Sequence, residues 1–72
     1  MEHMNESQLR ELSRQLASLR EQGAVLGLSY QRIWMWQRGA ANLTETELKA
    51  LQSFLRSKVA ERIAILERAT SL

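Results

Sequence analysis

The chain contains no proline, and its three glycines, at positions 23, 27 and 39, all fall in one central stretch. These two residue types oppose a helix most strongly, by roughly 3 kcal/mol for proline and 1 kcal/mol for glycine relative to alanine. Outside that stretch only capping residues and the placement of apolar side chains can end a helix, so an all-α fold is expected. With 72 residues there is room for a single helical domain, 1–72, whose core is small enough that tight packing or a second copy has to support it. A composition 44% hydrophobic and 25% charged is that of a globular chain.

The first helix is expected over 5–18. Asn5 is a good N-cap with Gln8 three residues on, and leucines at 9, 12, 16 and 19 make one apolar stripe that leaves Arg10, Glu11 and Arg14 for solvent. His3 precedes the cap, and a lone terminal histidine reads as inert. Two continuations are open: one helix running on to Gly23, or a separate second helix over Leu19 to Leu26. The second is favoured, with Gly23 present because another backbone packs close to it.

The segment from Gly27 to Gly39 reads as a turn feeding a short helix, capped by Ser29 and closed by Gly39 in a left-handed conformation. Helical spacing puts Ile33 and Trp36 on one face, toward the core, with Met35 beside them as packing. Tyr30, Gln31, Trp34 and Arg38 are left outward, a mixture of aromatic, amide and guanidinium groups without an acid. Between Glu21 and Glu45 the only charged residues are Arg32 and Arg38. The centre is therefore locally positive although the net charge is only +2, and an anionic partner meets least repulsion there. The plainer reading is a short segment that lacks acids by chance.

The last helix is expected over 44–69. Thr44 and Glu47 form a capping box, Leu43 and Leu48 a hydrophobic staple, and Leu48, Leu51, Leu55, Val59, Ile63 and Leu66 follow helical spacing. Unbroken, it would be about 40 Å long; a bend near Ser57 is the other possibility. Such a helix exceeds what the N-terminal part can cover, which predicts a homodimer through Leu55, Val59, Ile63 and Leu66. The alternative is a monomer in which the helix folds back on the leucine stripe of the first helix.

Gly23, Leu26, Gly27, Leu28, Ile33 and Trp36 together have the spacing of a helix-turn-helix: a small residue four before the turn glycine, apolar residues on both sides of it, and two apolar anchors on the next helix. The ending Trp36-Gln37-Arg38-Gly39 is similar to the close of the recognition helix in the Cro and lambda-repressor-like family. The resemblance covers residues 19 to 56, with Gln22 standing where that family usually keeps an apolar residue. It implies a helix-turn-helix at 19–39 and sequence-specific binding of double-stranded DNA. In that reading Tyr30, Gln31 and Trp34 face base edges, Ser29 and Arg38 sit near phosphates, and Arg32 reaches either the phosphate backbone or a neighbouring helix. The implied activity is that of a dimeric phage- or plasmid-type repressor on an inverted repeat.

Other classes are weaker. Without cysteine, a histidine inside a helix, or a serine beside a base, no catalytic or metal-ligating constellation stands out, so neither an enzyme nor a cofactor is expected. No apolar run reaches the roughly 20 residues of a membrane span and none follows the first methionines, so a cytoplasmic location is expected. The alternative to a DNA-binding regulator is a small helical inhibitor or adaptor that occupies a host protein's groove through Tyr30, Trp34 and Met35 or through the C-terminal helix. A third reading is a purely structural helical dimer.

Overall fold

The computed structural model describes residues 5–71; His3 lies outside them. Four helices and no strand occur among the described residues: α1 (Glu6–Leu16), α2 (Leu19–Leu26), α3 (Tyr30–Gln37) and α4 (Glu45–Thr70). The protein is a small all-α fold with a long C-terminal helix.

Each helix starts at a side-chain cap. The Asn5 side chain accepts from the Gln8 backbone N–H at 2.8 Å, and Gln8 Oε1 accepts from the Asn5 N–H at 3.2 Å. α1 ends at Leu16, two residues earlier than expected, because Ala17 and Ser18 are both extended and Ser18 caps α2 by accepting from the Glu21 N–H at 3.1 Å. The break thus lies at a serine cap, and α2 is a separate helix. Leu19 consequently belongs to α2 and not to the stripe of α1, where Leu9 is buried and Leu12 and Leu16 are packed against the core.

The α2–α3 turn is built around two glycines. Gly27 takes φ 69°, and the N–H groups of Gly27 and Leu28 both return to the Gly23 carbonyl. A Cβ on Gly23 would stand 2.6 Å from the Leu28 carbonyl oxygen, so only glycine permits the turn to fold so tightly onto α2. At the other end of α3, Gly39 takes φ 80° while its N–H donates to the Trp36 carbonyl and that of Ala40 to Met35, a Schellman closure.

Leu9, Trp36, Leu43, Leu51 and Leu55 form the buried cluster, with Leu26, Leu28, Leu48 and Phe54 against it; Ile33 is also fully buried. Leu55 is wholly inside this core, which removes it from the dimer surface expected of it: the residues that cover it come from its own chain. α4 opens with the Thr44–Glu47 capping box and continues without interruption for 26 residues, about 39 Å at 1.5 Å per residue. Every residue from 60 to 70 is exposed. The distal helix therefore does not fold back into cover. No helix among the described residues is long and apolar enough to cross a membrane.

Candidate functional site

The site is the outward face of α3, and its attitude is set from behind. Ile33 and Trp36 are 0% exposed, which fixes the rotation of the helix about its axis. Two arginines of α1 then hold its C-terminal end. Arg10 Nε donates to the Trp36 carbonyl at 2.8 Å with its guanidinium over the Trp36 ring, and Arg14 Nη1 donates to the Gln37 carbonyl at 2.9 Å. Cations at the carbonyl end of a helix satisfy groups that have no partner within it and oppose the negative end of its dipole. Arg10 and Arg14, expected to point to solvent, are thus clamps on α3, although their guanidinium groups also pair with Glu6 and Glu11.

Behind the clamps runs a buried polar chain through three helices. Gln37 Nε2 donates to Ser13 Oγ at 2.8 Å, and the Ser13 hydroxyl donates to Gln22 Oε1. Gln22 Nε2 donates in turn to the carbonyls of Ser13 and Ala17, both at 3.0 Å, and of Ser18 at 3.3 Å. The Ser13 and Ala17 carbonyls lie at the end of α1, where intrahelical partners run out, while the Ser18 carbonyl also accepts from the Gln22 backbone N–H at 3.1 Å. Gln22 therefore caps α1 from inside the core, and Gln22 and Ser13 are both 0% exposed. Sequence reasoning missed this network. Its signal was present: Ser13 lies between Leu9 and Leu16 on the inward side of α1, and Gln22 is four before the half-buried Leu26 on the inward side of α2.

On the outer face the expected residues are brought together. Tyr30, Gln31 and Trp34 line one shallow open groove, whose other wall is Leu19 of α2. Tyr30 is 59% and Trp34 43% exposed. The Arg38 guanidinium lies over the Trp34 ring, 4.3 Å from its centroid, a cation–π contact that holds the charge at the edge of the groove. Met35, expected as packing, is itself on the surface at 36% exposure.

The two remaining members play different parts. Ser29 caps α3, its Oγ accepting from the Arg32 N–H at 3.3 Å. Arg32 turns to its own chain: it reaches Glu47 at 3.1 Å and the Asn42 carbonyl at 3.2 Å, tying α3 to the loop and to the first turn of α4. The neighbouring helix, one of the two destinations expected of Arg32, is thus within its reach. Arg38 and Arg20, the latter exposed next to Leu19, make no ion pair among the described residues.

Among the described residues Glu11 and Lys58, both away from the groove, depart from their ordinary behaviour. A hydrogen bond from Arg14, aided by Gln15, lowers the Glu11 carboxyl, and a hydrogen bond to Glu21 raises the Lys58 ammonium. The groove itself holds an amide, a phenol and an indole, with a guanidinium at its edge, groups that recognise and orient a partner through hydrogen bonds, stacking and charge. No known protein family, curated protein or solved structure matches the chain.

Proposed function

We propose that this protein is a sequence-specific double-stranded DNA-binding regulator, a repressor that acts in the cytoplasm by occupying an operator with α3. The observation that carries the reading is the outer face of α3: Tyr30, Gln31, Trp34 and Arg38 stand together without an acid, on a helix whose rotation is fixed by Ile33 and Trp36. A major groove about 12 Å wide admits one helix presented in this way.

Each residue has a distinct part in that reading. Gln31 carries an amide able to pair bidentately with adenine, while Leu19, Tyr30 and Trp34 supply apolar surface for a thymine methyl group and for sugar. Arg38, steadied on Trp34, meets a phosphate, and the Ser29 hydroxyl, used as an acceptor in the cap, keeps its proton to donate to another. Arg32 is a positioning residue, since its guanidinium is engaged by Glu47 and Asn42.

The test is selection of bound duplexes from a random DNA pool at low and moderate salt. Enrichment of one motif, with a half-site repeated in inverted orientation, supports the reading. Failure to retain any duplex at low salt overturns it, and the exposed Tyr30, Trp34 and Met35 then become anchors for a protein partner.

A further inference from the structure

The last third of α4 bears apolar side chains that its own chain leaves open. Ile63 and Leu66 are 50% and 60% exposed. With half-buried Val59 they follow spacings of four and three, the d, a and d positions of a heptad repeat in which Thr70 is the next a. In this register Arg62 is a g residue and Glu67 an e residue. Both are exposed, and neither forms an ion pair among the described residues.

We propose that Val59, Ile63, Leu66 and Thr70 form the seam of a parallel, in-register two-stranded coiled coil with a second copy of this chain, flanked on both sides by Arg62–Glu67 ion pairs between the copies. In a parallel pair a g residue meets the e residue five positions further along its partner, and Arg62 and Glu67 have that separation. Two-fold symmetry makes the pair twice. An antiparallel alignment that stacks Ile63 on Leu66 sets Arg62 beside Ala69 and Glu67 beside Ala60, so both charges stay unpaired. Charge thus selects the parallel arrangement.

The side chains along the seam agree with two strands. β-Branched Ile63 and Thr70 at a with Leu66 at d favour a dimer, Val59 at the first d departing from that pattern, and Ala60 and Ala69 at the remaining e and g positions leave room for close approach. Ile65 lies off the seam, beside Leu16 of its own chain. Leu51 and Leu55 anchor α4 in the core, so the second copy meets a helix already formed and little ordering opposes association. The seam spans only some 18 Å by helical rise, and the dimer dissociates on dilution. Nothing in this pairing depends on what α3 binds.

Sedimentation equilibrium of the full chain without DNA tests it, with Arg62→Glu and Glu67→Arg chains run separately and as an equimolar mixture. Both positions are exposed, so both variants keep the fold. Each alone places like charges along both flanks and weakens self-association about tenfold; the mixture joins opposite charges on every flank and regains the dimer. Oxidised Leu66→Cys chains, which carry no other cysteine, cross-link through the d layer. A parent chain that stays monomeric at every concentration, a mixture no better associated than its components, or a Leu66→Cys dimer that does not cross-link overturns the proposal.

Discussion

Gly23 and the Leu28 carbonyl oxygen approach so closely that a single added methyl carbon would lie 2.6 Å from that oxygen. The contact seats the turn on α2, and with it the start of α3. Gly23→Ala gains up to about 1 kcal/mol of helix propensity but forces two backbone segments apart, an overpacking cost of about 1–3 kcal/mol or more. The variant is expected to be less stable in urea denaturation. An unchanged or raised midpoint would show that the turn yields freely.

Gln22 is expected to tolerate no apolar replacement. Gln22→Leu keeps the volume but leaves the Ser13 hydroxyl without its acceptor and the Ser13 and Ala17 carbonyls without their donor, a cost of about 1–3 kcal/mol. Gln22→Ala adds a cavity and should lose about 2–4 kcal/mol. Chemical denaturation distinguishes the cases, and a Gln22→Leu chain as stable as the parent would mean the buried polar chain contributes nothing net.

On the outer face the expected effects fall on recognition and not on stability. Gln31→Ala should relax preference at one base position, by about 1–3 kcal/mol between right and wrong base. Arg38→Ala should weaken binding to all duplexes and reduce the salt slope by about one. Titrations of selected and scrambled duplexes at several salt concentrations give both quantities. Should both variants bind as the parent does, the face assigned to DNA is wrong.

Arg32 separates positioning from contact. Arg32→Ala removes the tie to Glu47 and Asn42, so thermal stability should fall modestly, by about 1 kcal/mol or less for so partly exposed a pair. The salt slope of DNA binding should stay that of the parent, opposite to Arg38→Ala. A flattened slope would place Arg32 on a phosphate after all.

The acid and alkaline limits of stability have assignable contributors. Glu11 is lowered by Arg14, so its contribution is complete above the ordinary carboxylate range and disappears as pH falls through the lowered value. Lys58 is raised by Glu21, so its tie between α4 and α2 is complete below the ordinary lysine range and disappears as pH rises through the raised value. A thermal midpoint level across neutral pH is expected. Lys58→Met should remove part of the alkaline decline, read as the thermal midpoint against pH.

Local chemistry explains what could be read in advance. The caps at Asn5, Ser29 and Thr44 each involve partners three residues apart, so their meaning lies within one turn of sequence. Ile33 and Trp36 share a helical face, and their burial follows from periodicity. The separate α2 over Leu19–Leu26 is legible as the favoured of two continuations. The end of α1 is less sharp: a serine cap inside a run without glycine or proline competes weakly with a continuing helix pattern, so Leu19 also falls in the spacing of the α1 stripe. Leu55 shows a different limit: a stripe along α4 tells which side is apolar, not whether its own chain or a second one covers it. The clamps from Arg10 and Arg14, and the chain Gln37–Ser13–Gln22, join atoms of different helices through long or polar side chains, whose partners no periodicity names.

The two tryptophans sit in opposite surroundings on the same short helix. Trp36 is sealed in the core with Arg10 over its ring, whereas Trp34 is open to solvent under Arg38. One helix thus carries two optical reporters: an indole whose emission follows the integrity of the core, and a second, accessible to quenchers, whose emission follows whatever comes to rest against the groove. Replacing the exposed Trp34 leaves Trp36 as an unmixed signal of folding, and in the parent chain a quencher that reaches only Trp34 separates ligand engagement from it.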